Sequence, residues 1–249
     1  MRMIVSSLDG RCLTLTIDRP ERRNALTGTM YQALDQGLQK AQADPGCRAV
    51  ILTGAGDCFT AGNDLSEFQA ARRGIADSPA LAFLRTLANI DVPVIAAVEG
   101  HAIGVGATLL QHCDFVYAGE TALFSMPFVS LGLCPEGGSS TLLGQLVGAR
   151  RAAEWLLLGQ PFSAAQAWDS GFITGVAPAG QALSLARATA AALDKQPAQA
   201  LRISKRMLRE PGRADLMRSF DKERDLFSER LQSDEAQAAF RRFFERKAD

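Results

Sequence analysis

Histidine is scarce in this chain, with two among 249 residues, His101 and His112. That count excludes a histidine-rich metal site and leaves few ways to assemble a Ser-His-Asp triad. His101 reads as a turn residue beside a glycine loop and His112 as a residue near a helix C-terminus. Cysteine lacks pattern. Cys12, Cys47, Cys58, Cys113 and Cys134 form no CxxC and no ligand-like cluster, so free thiols in a reducing compartment are expected. Net charge is missing as well: 27 basic residues against 27 acidic ones give zero. The bulk attraction that nucleic acid or an anionic membrane exploits is therefore absent. No apolar run is long enough to span a bilayer, the N-terminus has no long apolar signal core, and 246–249 is no peroxisomal address. A cytoplasmic location without membrane or nucleic-acid partners is expected. There is no P-loop, no GxSxG and no HExxH.

What remains is an ordinary globular composition, 47% hydrophobic and 22% charged, long enough for one large domain or a domain plus a small appendage. Leu13, Leu15 and Ile17 alternate with Thr14 and Thr16, which predicts a half-buried strand over 12–18. Thr27 can cap a helix to about residue 43, with Leu26, Met30, Leu34 and Leu38 on one stripe. A buried strand is expected over 49–53. A polar stretch, 72–78, leads to an apolar helix over 81–90. Residues 92–98 are apolar without alternation, the pattern of a strand covered on both faces. A glycine turn, a helix over 104–112 and short strands at 115–117 and 122–124 follow. Ser163 and Gln166 form a capping box. The alternation predicts an α/β core. Within it, Val50-Ile51-Leu52-Thr53-Gly54 is faintly echoed by Val94-Ile95-Ala96-Ala97-Val98-Glu99-Gly100. From about residue 185 the texture turns helical, with Leu201, Ile203, Met207, Leu208, Leu216, Phe220, Leu226, Phe227, Leu231, Phe240, Phe243 and Phe244. So much apolar surface needs the chain's own core or a neighbouring subunit to pack on.

Three loops carry the chemistry. Gly62, in Thr60-Ala61-Gly62-Asn63-Asp64-Leu65, permits a backbone path that can aim the next N–H into a cavity. Gly100-His101-Ala102-Ile103-Gly104-Val105-Gly106 leads into a helix N-terminus, where free N–H groups favour negative charge. Two such donors converging from separate loops make an oxyanion hole. A dinucleotide-binding reading of Gly104-x-Gly106 fails, because the third glycine of the motif would fall at Leu109. The third loop, Pro135-Glu136-Gly137-Gly138, holds an acid at a tight bend before an apolar helix. The plainer reading of Glu136 is a surface acid favoured by the helix dipole.

In order and spacing these segments resemble the crotonase (enoyl-CoA hydratase/isomerase) superfamily. Arg19-Pro20-Glu21-Arg22-Arg23-Asn24-Ala25-Leu26, Phe59 to Leu65, and Ala96 through Ala118 carry the likeness, which runs nearly end to end. It implies a crotonase-like ββα spiral core over 1–190, and a helical region over 191–249 packing on the core and on a neighbouring subunit. A homotrimer or dimer of trimers follows from the same likeness. It also implies an acyl-CoA substrate, with coenzyme A entering as part of that substrate, no separate cofactor and no metal. The thioester oxygen would be held by the main-chain N–H groups of Asn63 and Val105, where the family usually has glycine at the second position. Valine serves if its backbone angles suit a β-branched residue.

Hydratases of the family carry two glutamates, at the positions of Thr108 and Phe128 here. Neither of these can act as a carboxylate. Glu136 instead resembles the single base of the Δ3,Δ2-enoyl-CoA isomerase branch. The resemblance further places Ala61, Gly62, Asp64, Leu65 and Gly104 around the acyl-CoA, with Phe128 as an apolar wall. Arg22 and Arg23 would lie near the phosphates, and Lys205 or Arg206 could add charge. Another crotonase reaction, such as hydration or a ring-forming isomerisation, is the first alternative. A non-catalytic acyl-CoA-binding domain is the second.

Overall fold

A computed structural model describes residues 3–66 and 78–248; the polar stretch expected at 72–77 lies outside the described residues. A hairpin of β1 (Ile4–Asp9) and β2 (Cys12–Ile17) starts the chain. Thr27 caps α1 (Gly28–Ala43), its hydroxyl accepting the Met30 N–H at 3.4 Å. Then come β3 (Ala49–Gly54), α2 (Pro79–Asn89), β4 (Val94–Val98), β5 (His101–Ile103) and α3 (Val105–Thr108). The helix expected over 104–112 is α3 followed by a 3-10 turn, Leu109–His112. Next are β6 (Phe115–Gly119), β7 (Leu123–Ser125), α4 (Ser139–Val147), α5 (Ala149–Ala153) and β8 (Phe162–Ser163). The chain closes with α6 (Ala164–Asp169), β9 (Gly175–Ala177), α7 (Ala182–Asp194), α8 (Ala198–Leu231) and α9 (Asp234–Ala248). No described helix is long and apolar enough to cross a membrane.

The strands form two sheets, ordered β1-β2-β3-β4-β6-β9 and β5-β7-β8. Successive turns of the chain feed both: β4 then β5, β6 then β7. The echo between 50–54 and 94–98 is structural, for Val50 pairs with Val94 in parallel register and Thr53 with Ala97. β3 and β4 are covered on both faces, as their unbroken apolar runs require. The smaller ladder extends through single bridges, Thr60 to Ala102 and Leu26 to Asn63. Residues 24–26, 60–63 and 101–103 are therefore adjacent rungs, and the loops that carry chemistry leave the ladder side by side. His101 lies exposed on β5 rather than in a turn.

The C-terminal helices fold back on the core. Phe220, Phe227, Leu231 and Phe240 are buried. In the first half of α8 Ile203, Met207 and Leu208 face away from the chain's own core, while Arg202 and Lys205 are buried. The reason is polar satisfaction. Arg202 donates to the carbonyls of Ala41, Gln42 and Asp44 at the end of α1. Lys205 Nζ sits 2.6 Å from Asp114 and donates to the Val92 carbonyl at 2.7 Å. Arg209 reaches the same Asp114 at 2.9 Å. Asp114→Ala would strand two cations, so unfolding free energy should fall by about 3–5 kcal/mol, read from urea denaturation. An unchanged midpoint would mean that this cluster does not hold α8 down.

Candidate active site

Asn24 has left-handed backbone angles (φ 56°) and is fully buried. Its side chain donates to the carbonyls of Ala55 and Cys58, while its own carbonyl accepts the Thr60 hydroxyl at 2.7 Å. This ties the 19–26 loop to the 60–65 loop. Asp64 belongs to the same tie. It pairs with Arg19 at 2.7 Å and caps Ser66, and these bonds outweigh burial to pull its carboxyl down to about 2. Its charge is spoken for within the chain. Leu65 packs against the core. Arg22 and Arg23 are exposed beside this loop, and the Arg23 carbonyl accepts the Ala61 N–H at 2.9 Å.

Gly62 has φ 89°, and a Cβ on it would stand 2.6 Å from the Ile103 carbonyl oxygen and 4.0 Å from the Val105 nitrogen. The two amide loops thus touch. Gly104 takes φ 57° and ψ −119° to start α3 at Val105. Among the described residues only Arg23 and Asn24 combine a side chain with positive φ, so Val105 is unstrained. The condition for valine at this position is met, because the unusual angles fall on the glycine before it. Neither the Asn63 nor the Val105 N–H has a hydrogen-bond acceptor among the described residues. The Asn63 side chain is held by the Tyr31 hydroxyl, which donates to Oδ1 at 2.5 Å.

Glu136 lies in one cavity with Asn63. Its volume is about 50 Å³, and Leu81, Gly137, Phe220, Glu223 and Phe227 are among its walls. A wider hollow of about 610 Å³ between the β1–β2 hairpin and α1 is lined by neither Asn63, Val105 nor Glu136. The Glu136 side chain is half-buried, and Thr108 donates to its Oε1 at 2.5 Å. Burial pushes its carboxyl up to about 7, the negative charge of Glu223 adds to this, and the Thr108 bond opposes it. Such a group can both take and give a proton near neutrality. Tyr31 is pushed well above its usual range, by burial first and by Glu136 second.

Phe128 is buried one layer behind the cavity, edge-on to Phe227 at 6.5 Å. Phe220 and Phe227 of α8 form the apolar wall instead. Lys205 is unavailable for phosphate, being buried against Asp114, and Arg206 is paired with Asp91 at 2.6 Å. Three contributors escaped the sequence reading: Thr108 as donor to Glu136, Tyr31 as anchor of Asn63, and Glu223. Each lies on a helix whose face can be assigned only once the sheet is placed.

A family profile described as enoyl-CoA hydratase/isomerase matches residues 9–249. Enoyl-CoA delta isomerase 2 of Rattus norvegicus is 33% identical over 250 residues, 98% of this chain and 64% of that protein. The chain thus spans less than two thirds of that relative's length. The 2,3-dehydroadipyl-CoA hydratase of Escherichia coli K12 is also 33% identical, over 92% of this chain and 90% of the hydratase. The structure of Pseudomonas aeruginosa OdaA superposes with a TM-score of 0.94 at 41% identity, covering 98% of this chain and 99% of that one.

Proposed function

The chain belongs to the enoyl-CoA hydratase/isomerase family, and we propose that within it the chain is a Δ3,Δ2-enoyl-CoA isomerase with Glu136 as its acid/base. Glu136 takes a proton from C2 of a 3-enoyl-CoA, breaking the C–H bond. The electron pair moves through C3 and C4 onto the thioester oxygen as a dienolate. The N–H groups of Asn63 and Val105 hold that oxygen, at a typical worth of about 3–4 kcal/mol per donor. The proton then returns at C4, leaving a 2-enoyl-CoA. No other reactant is needed, and coenzyme A enters only as part of the substrate. Arg22 and Arg23 meet its phosphates, while Ala61, Gly62, Leu65 and Gly104 line its path. Asp64, paired with Arg19, shapes that loop. Self-association into trimers, using the outward Ile203, Met207 and Leu208, is part of the same reading.

The observation that carries this proposal is the state of the carboxylates. Glu136 Oε1 takes the Thr108 hydroxyl, while Oε2 accepts no hydrogen bond among the described residues and is free for a substrate proton. Sequence identity does not decide the reaction, since an isomerase and a hydratase are equally similar. Hydration draws its support from Glu223, a second carboxylate on the cavity wall. Both Glu223 oxygens, however, are engaged by main-chain N–H groups, at 2.6 and 2.9 Å. The test uses purified protein with 3-hexenoyl-CoA and with crotonyl-CoA, following 2-enoyl thioester absorbance. Gain with the first and no loss with the second is expected. Loss with crotonyl-CoA would establish hydration instead.

A further inference from the structure

Glu223 sits in the charged run Asp221-Lys222-Glu223-Arg224-Asp225, where a solvated helix face is the ordinary expectation. Asp221 and Asp225 do face solvent. Glu223 is 5% exposed. It lies between Phe220 and Phe227 at helical spacing, and all three line the cavity that holds Glu136. A carboxylate buried in an apolar stripe must find donors. It finds them 85 and 83 residues away, accepting the Gly138 N–H at 2.6 Å and the Ser140 N–H at 2.9 Å. These belong to the start of α4, which has no side-chain cap of its own.

The turn needs such a partner. Gly137 and Gly138 have φ of 69° and 78° and no side chains to lock them. What fixes Glu136 is a ring of hydrogen bonds. Thr108 holds the carboxylate. The Ser139 hydroxyl donates to the Glu136 carbonyl at 2.5 Å. His112 Nε2 lies 2.7 Å from the Gly137 carbonyl; burial brings this imidazole down to about 4, so it is a neutral donor. Glu223, on α8, closes the ring and is its one acidic member besides Glu136 itself.

We propose that Glu223 is a positioning residue for Glu136: it clamps the turn that carries Glu136 and sets a second negative charge on the wall of the same cavity. The proposal rests on Glu136 being the acid/base of the site, whatever the reaction. The titratable and charged groups facing Glu136 come from several elements: Tyr31 on α1, His112 behind Gly137, Cys134 on its own loop, and Glu223 and Arg224 on α8. Arg224 is drawn outward by Asp221 and Asp225, which leaves Glu223 as the anion in electrostatic contact.

The experiment is a carbon-13 NMR titration of glutamate-labelled protein, with the Glu136 carboxyl signal assigned by its loss in Glu136→Gln. In Glu223→Gln the midpoint should move down by roughly one pH unit, the scale of losing a like-charged neighbour. Glu223→Asp keeps the charge but is one methylene too short to reach both N–H groups. It should leave the midpoint near the native one while kcat falls roughly 10- to 100-fold at unchanged KM, the cost of a misplaced catalytic group. An unmoved midpoint in Glu223→Gln overturns the proposal, as does a native kcat in Glu223→Asp. If kcat, KM and thermal stability decline together with the midpoint unmoved, Glu223 is merely structural. Residual full activity in Glu136→Gln would instead sink the acid/base assignment, a separate result read from the same set of variants.

Discussion

Glu136→Gln should abolish double-bond migration, lowering kcat by about 10⁴-fold, and at the same time make the protein more stable above pH 7. Both effects have one cause. The carboxyl is asked to accept a proton at one carbon and deliver it at another, and an amide does neither. Because one group serves both steps, the loss belongs at the upper end of the general acid–base range. Binding of acyl-CoA should persist, since the amide fills the same volume and can still accept the Thr108 hydroxyl. The stability gain follows from linkage. Burial raises the carboxyl from 4.5 to about 7 in the folded chain. Below 4.5 both folded and unfolded chains carry the proton, and the side chain neither helps nor harms. Between 4.5 and 7 the unfolded chain ionises first, so native stability declines as pH rises. Above 7 the whole penalty stands, roughly 3 kcal/mol, and the glutamine variant escapes it. Urea denaturation of both proteins at pH 4 and pH 8 measures this. An equal difference at the two pH values would show that Glu136 is not desolvated. The same ionisation should appear in the native enzyme as kcat/KM rising with pH to a plateau above about 7.

The strands and the amide loops were legible because their signals are local. Uncapped apolar runs at 49–53 and 92–98 mark covered strands, and both are observed. The capping residues Thr27 and Ser163 act as read, the latter in a full capping box with Gln166. β1 left no signal: as an edge strand it buries Ile4 and exposes the rest, so it shows no alternation. The buried polar face in the first half of α8 left no signal, for a deeper reason. Its apolar residues mark a surface in need of a partner, yet the face buried on this chain's own core carries Arg202 and Lys205. Their partners are carbonyls and an aspartate at least 91 residues distant, such as Asp114, and no helical periodicity encodes them. Glu223 and Thr108 escaped in the same way. What a helix residue touches depends on which neighbours the fold supplies, and in this chain those neighbours include the acid of the site.

Gly62→Ala should lower kcat by about 10²–10³, the cost of an oxyanion donor, with little change in KM. Gly104→Ala, one residue beyond the Ile103 contact, should cost much less. The comparison isolates position from residue type. Both glycines have positive φ, 89° and 57°, so alanine meets backbone strain of roughly 1–3 kcal/mol at either one. At Gly104 nothing else lies within 4 Å of the added methyl. At Gly62 the methyl would stand 2.6 Å from the Ile103 carbonyl oxygen, a distance that no Cβ tolerates, so a loop must shift. That shift acts on both donors together. Asn63 follows Gly62 directly, and Ile103 leads through Gly104 to Val105, whose nitrogen is 4.0 Å from the same methyl position. Separating the two loops to admit one carbon pulls apart the N–H groups that would hold the thioester oxygen. Charge develops on that oxygen chiefly in the transition state, so the loss falls on kcat rather than on substrate binding. Steady-state kinetics of the two variants, with their urea midpoints, make the measurement. If Gly62→Ala keeps native kcat despite a lowered midpoint, Asn63 and Val105 are not the oxyanion donors.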